Sequence, residues 1–117
     1  MALLGALGSL ARFAVSLWLP RAAGGFPWAT LMVNVLGCLL FGLVWALAEE
    51  RKLLTPAQRI WLSAGFLGGF TTFSSFGYET IEMVRQGEVM RAGAHVLVQN
   101  TLGPLAVLLG YHLGERP

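Results

Sequence analysis

Between residues 28 and 48 the chain carries no charged side chain, and three further stretches come close to the same condition. A helix needs about 20 mostly apolar residues to cross the roughly 30 Å hydrocarbon layer of a bilayer, so runs of this kind restrict the fold before any motif is read. Residues 2–19 are interrupted only by Arg12 and closed by Pro20. Residues 28–48 stop at Glu49-Glu50-Arg51-Lys52. The third run, 60–78, follows Thr55-Pro56, a helix-start signal, and the fourth, 92–113, holds His95, Gln99 and Asn100 but no full charge. Hydrophobic residues make up 56% of the chain and charged ones 12%, about half the usual ~25% and too few to keep a soluble surface dispersed. The expectation is an all-α membrane protein with four transmembrane helices, forming one domain over residues 1–117.

The first run precedes Ala22-Ala23-Gly24, as a signal peptide would. It lacks a basic segment ahead of it and three more runs follow, so it is read as a span. Glu79, Glu82 and Arg85 recur at intervals of three, the spacing of a helix leaving the membrane with a solvated face. Basic residues fall almost evenly on the two sides. Arg51, Lys52, Arg59 and Arg116 share one face, and Arg21, Arg85 and Arg91 the other. Orientation follows the side richer in Lys and Arg, so four against three leaves the chain free to insert both ways. Its natural assembly is then an antiparallel dual-topology homodimer with a twofold axis in the membrane plane, the other reading being one fixed orientation set by a residue-specific effect.

Several chemistries are disfavoured. The basic residues sit at segment ends and form no patch for nucleic acid. Cys38 is alone in an apolar run, which gives neither a disulfide nor a zinc site. No nucleophile-base constellation or phosphate loop is present, so an enzyme is not expected. No carboxylate falls within the four runs, whereas proton-coupled pumps and cation exporters depend on an embedded one.

The spans do hold neutral hydrogen-bonding groups: Asn34; Thr71, Thr72, Ser74 and Ser75; then Gln99, Asn100 and Thr101. Facing lipid, each would cost free energy, so each should face the bundle interior, another subunit or water. Donors without carboxylates suit an anion better than a cation. For Asn34 two roles stand open, lining a path or tying two helices together at about 1 kcal/mol per bond. In Gly68-Gly69-Phe70-Thr71-Thr72, paired glycines ahead of two threonines weaken the third helix in mid-membrane, with the break expected at Gly68-Gly69. The carbonyls so released need neighbouring helices, trapped water or a hard cation such as Na⁺. Phe73 and Phe76 share a helical face, and they either pack or turn their positive ring edges to a small anion. Arg12, about 12 Å inside its end of the first helix, either draws anions into a vestibule or snorkels to the interface. His95 reads as an interfacial or helix-contact residue.

Taken in order, these pieces resemble the Fluc or CrcB family of small fluoride channels. The matching segments are residues 5–12 with Arg12, Ala29-Thr30-Leu31-Met32-Val33-Asn34, the run 65–76, and Glu79 beyond it. The resemblance implies passive, fluoride-selective export across the cell (inner) membrane, lowering cytoplasmic fluoride toxicity, by an antiparallel homodimer. It implies two pores along the subunit contacts and a structural Na⁺ on the twofold axis. Matched residue by residue, the pore would be lined by Asn34, Phe73 and Phe76 with the hydroxyls of Thr72, Ser74 and Ser75. Arg12 would stand near a vestibule, and backbone carbonyls of Gly68 and Thr71 would hold the sodium. Where the family often carries serine in the fourth span, this chain has Asn100 and Pro104. Two other readings exist: a dual-topology multidrug exporter, which should carry a glutamate where Arg12 stands, and a packing subunit that transports nothing.

Overall fold

The computed structural model describes residues 1–20 and 25–117. Arg21 of the charge count and the Ala22-Ala23-Gly24 stretch lie outside them. Among the described residues every regular element is helical. Helix α1 is Ala2–Trp18 and α2 is Trp28–Glu49. The third pass is α3, residues 56–70, followed by α4, Phe73–Arg85. Within α3 a regular turn Pro56–Ile60 passes into a wider π segment, Trp61–Leu67, and ends in Gly68–Phe70. Helix α5, Val89–Glu115, is the fourth pass of the chain along the bundle. The molecule is 49 Å long, more than the roughly 30 Å of hydrocarbon in a bilayer. Both α2 and α5 are long and apolar enough to cross it, while α1 and the divided third pass are shorter apolar pieces.

The expected start of the third pass holds in detail. The Thr55 hydroxyl accepts the Gln58 N–H at 3.2 Å and the Gln58 side chain accepts the Thr55 N–H at 2.9 Å, a reciprocal cap on the first turn. Pro56 occupies a position where its missing N–H costs nothing. Helix bounds extend past the apolar runs, to Pro56 at the start of the third and to Val89 and Glu115 around the fourth. Glu49 closes an ion pair with Arg59, whose guanidinium also lies 4.9 Å above the Trp45 ring.

Glycines set how closely the passes approach. A Cβ on Gly42 would overlap the carbonyl oxygen of Val107, and one on Gly110 that of Leu39, so α2 and α5 touch backbone to backbone. Likewise α1 lies on α3 where Gly8 faces the Phe66 carbonyl and Gly69 faces the Gly5 carbonyl. Lipid tails give helices no hydrophobic reason to associate, and small residues that allow such contact take over that role. Outside these seams the chain is coated with apolar side chains: Leu3, Trp18 and Met90 are each more than four-fifths exposed. Water does not tolerate such a coat; lipid or another apolar chain covers it.

Two expectations are corrected. The helix does not break at Gly68-Gly69, where Gly68 keeps helical angles (φ −61°, ψ −36°). It breaks at Thr71 (φ −79°, ψ 160°) and Thr72 (φ −150°, ψ 110°), both extended. The glycine there serves the approach of α1, and the break falls where other side chains replace the lost backbone bonds. Nor does Glu79 share the solvated face of Glu82 and Arg85. Its side chain is only 16% exposed, held between α2 and α5.

Candidate functional site

In an unbroken helix the Thr72 N–H would bond the carbonyl of Gly68. Here it donates to Asn34 Oδ1 at 2.8 Å, while Asn34 Nδ2 donates to the Thr72 carbonyl at 3.0 Å. The amide of α2 thus meets both backbone groups of one extended residue, much as a neighbouring strand would. The second Nδ2 hydrogen goes to Gln99 Oε1 on α5 at 3.3 Å. Of the two roles open to Asn34, tying helices together is the one its bonds display. The start of α4 is capped locally: the Thr72 hydroxyl accepts the Ser75 N–H at 3.1 Å, donates to Ser75 Oγ at 2.9 Å and lies 3.4 Å from Ser74 Oγ.

Arg12 reaches across from α1 and donates through Nη1 to the Thr71 carbonyl at 3.2 Å. Beside it opens a cavity of about 190 Å³ bordered by Arg12, Ser16, Thr30, Thr72, Ser75 and Glu79. On the other side of Thr72 a shallower groove of about 390 Å³ is bordered by Asn34, Gly68, Thr71, Thr72 and Phe73. Thr72 borders both, the more enclosed, inner cavity holding the charged Arg12 and Glu79 and the more open, outer groove being more apolar. The Phe73 ring is 82% exposed and leans on Phe76, centroids 5.5 Å apart at 49°. Phe76 is half-buried and in turn meets the His95 ring at 5.0 Å.

Most residues singled out in the sequence therefore converge. Asn34, Thr72, Ser74, Ser75, Phe73, Phe76 and Arg12 all lie at or beside the break. Of the fourth-span candidates Gln99 joins them through Asn34, and Asn100 and Thr101 do not. Asn100 and Thr101 are exposed and donate to carbonyls one turn back, of Val96 and Leu97, while Gln99 faces inward. The sequence reading missed the cluster of Thr30, Glu79 and His95. Thr30 Oγ1 donates to Glu79 Oε1 at 2.6 Å, and Glu79 Oε2 stands 3.4 Å from His95 Nε2. A signal for it existed: Thr30 and Asn34, Ser75 and Glu79, and His95 and Gln99 are three polar pairs at i,i+4, each on one face of its helix. Glu79 also weakens the argument that no carboxylate is embedded.

For the implied cation, the Gly68 carbonyl fits, because its helical donor is diverted to Asn34 and Gly68 is exposed on the outer groove. The Thr71 carbonyl fits less fully, since one of its two lone pairs is engaged by Arg12.

An all-helical membrane protein with one interrupted pass, held open by a side-chain amide beside a charged cavity, is the class these features define. Residues 1–111 match the family described as CrcB-like protein, Camphor Resistance (CrcB). The chain belongs to the CrcB family, as its motifs anticipated. Among its relatives is the fluoride-specific ion channel FluC of Nitrosococcus oceani, 46% identical over 98% of this chain and 93% of the relative. Proteins of the same description from Thermus thermophilus and Nitratidesulfovibrio vulgaris are 48% and 44% identical. They align over 97% and 98% of this chain and 90% and 94% of their own lengths.

Proposed function

We propose that this protein is a fluoride-selective channel that lets F⁻ leave the cell passively through the inner membrane, working as an antiparallel dual-topology homodimer. The observation that carries the reading is the break itself, in a chain aligned almost end to end with relatives described as fluoride-specific channels. Fluoride is small and strongly hydrated, so a narrow path must replace its water with close donors. Thr72, Ser74 and Ser75 offer hydroxyls at the start of α4, and Phe73 and Phe76 offer ring edges one turn apart. Arg12 gives the inner cavity a positive wall. Asn34 stands along the path mainly by holding Thr72 extended; its 3.3 Å bond to Gln99 is the one that exchanges most readily for an ion.

Sodium would be held by the Gly68 carbonyl and the remaining lone pair of Thr71, with the same pair from a second copy. When bound, it supplies positive charge between the two interrupted passes. The exposed Phe73 ring and the apolar coat favour a second copy as the cover of the outer groove.

Efflux from liposomes containing only this protein tests the function. Fluoride should leave far faster than chloride; comparable rates would refute selectivity. Two or three lysines added to the C-terminal tail should bias insertion and silence the protein expressed alone, with activity restored by an oppositely biased copy. Full activity of the biased protein alone would refute dual topology.

A further inference from the structure

All four tryptophans of the chain are exposed, between 43% and 87%, although this large ring is ordinarily well covered. They fall into two pairs. Trp18 closes α1 and borders a groove with Met32, one turn on from Trp28 at the start of α2, so these two share an end of the bundle. At the other end Arg59, two positions before Trp61, lays its guanidinium 4.9 Å from the centre of the Trp45 ring. Charged pairs stand just beyond. Glu49, Lys52 and Arg59 lie past Trp45, and Glu88 and Arg91 lie at the Trp28 end, where Phe26 touches both the Trp28 ring and His95 near the start of α5. Between the two ends Leu10 and Phe13 of α1 and Met32 and Leu36 of α2 face outward. An indole joins an apolar body to one N–H donor, so it is most stable where acyl chains meet headgroups.

Their separation follows from helix geometry. Trp28 and Trp45 stand 17 positions apart on one uninterrupted helix, about 25 Å at 1.5 Å per residue. Side chains lean toward the N-terminus of a helix, so both rings shift in the same sense and the interval survives. Helix α1 gives the same answer independently: its 17 residues also cover about 25 Å, and Leu4 at its start lies against Gly65, one turn on from Trp61. The 27 residues of α5 reach beyond both pairs and do not set the span. We infer that the four tryptophans form two interfacial belts that seat this protein in a bilayer with a hydrocarbon core of about 25 Å, about 5 Å thinner than the usual ~30 Å. In a thicker bilayer the helices cannot lengthen. The rings are then drawn among acyl chains, where the indole N–H has no partner, or the lipid around the protein must thin, and each ångström of mismatch costs a fraction of a kilocalorie per mole. The inference concerns the fit to lipid alone and stands apart from fluoride selectivity.

The test is tryptophan fluorescence in phosphatidylcholine vesicles whose chains carry bromine either close to the headgroup or close to the chain end. Wild-type emission should be quenched at least about twofold more by the shallow bromines than by the deep ones. Trp18→Phe, Trp45→Phe and Trp61→Phe together leave Trp28 alone, and Trp18→Phe, Trp28→Phe and Trp61→Phe leave Trp45 alone; both proteins should show the same order, one for each end. Stronger quenching by deep bromines, or no quenching at either end, overturns the belts, the second result placing that ring beneath another copy of the chain. If the triple variants do not assemble, the wild-type order decides. The thickness is read from thermal unfolding of the wild-type protein in vesicles with monounsaturated chains of about 14 to about 22 carbons. The melting temperature should peak where the core is nearest about 25 Å and fall by several degrees in the thickest bilayer. A flat series, or a peak at a core of about 30 Å or more, overturns the fitted thickness.

Discussion

Asn34→Ala separates a residue that lines a path from one that holds a backbone in place. The substitution removes three bonds together: the acceptor of the Thr72 N–H, the donor to the Thr72 carbonyl and the donor to Gln99. An exposed amide would let water replace them, but Thr72 is buried. Leaving a buried backbone group unsatisfied costs about 1–3 kcal/mol, so two of them, partly relieved by relaxation, amount to about 2–4 kcal/mol. The measurement is thermal unfolding of the purified protein in detergent, paired with fluoride efflux. Expected are a lower melting temperature by several degrees and a loss of flux, because the extended Thr72 that starts α4 is no longer held. If Asn34 served only as a donor to the ion, flux would fall while the melting temperature stayed put. Unchanged stability in a correctly assembled Asn34→Ala protein would therefore refute the assignment of Asn34 to the break.

Phe73→Leu and Phe76→Leu keep most of the side-chain volume and should assemble normally with strongly reduced fluoride flux, whereas Phe66→Leu, in α3 and stacked on Phe70, should conduct nearly as wild type. If both pair variants match the Phe66 control, the aromatic contact is abandoned and the path passes to the hydroxyls of Thr72, Ser74 and Ser75. Exhaustive removal of sodium should abolish flux, and unchanged flux would reduce the diverted Gly68 carbonyl to a packing feature. Gly110→Ala forces α2 and α5 apart at the Leu39 carbonyl and should lower stability by at least about 1 kcal/mol in chemical or thermal unfolding, whereas Gly93→Ala, with open space around it, should be neutral or slightly stabilising.

The parts of this molecule that could be read before folding are those governed by near neighbours. Apolar runs identified the passes, and Thr55-Pro56 with Gln58 identified a helix start, because capping involves residues three apart. The interruption of the third pass was legible as a weakness but not as a position. Glycines at 68 and 69 remain helical because nothing there replaces the backbone bonds, while Thr72 finds its replacement in Asn34, far away along the chain. Glu79 was misread for the same reason. Its local spacing matches Glu82 and Arg85, and only Thr30 and His95, contributed by two other helices, reveal that it is drawn inward. The likeness to relatives described as fluoride-specific channels, rather than the count of carboxylates, is what favours a channel over an exporter here.

Phe73 lies on the outside of the chain. In the proposed homodimer a solitary protomer would hand that ring to acyl tails, which offer an anion nothing, so conduction would have the statistics of an encounter. In a population of vesicles seeded sparsely with separate protomers, those that receive a single copy should retain their fluoride and those that receive an oppositely oriented pair should empty. The emptied fraction would then climb with protein dose from a curved foot, as chance pairing dictates, and not along the straight line of a self-sufficient pore.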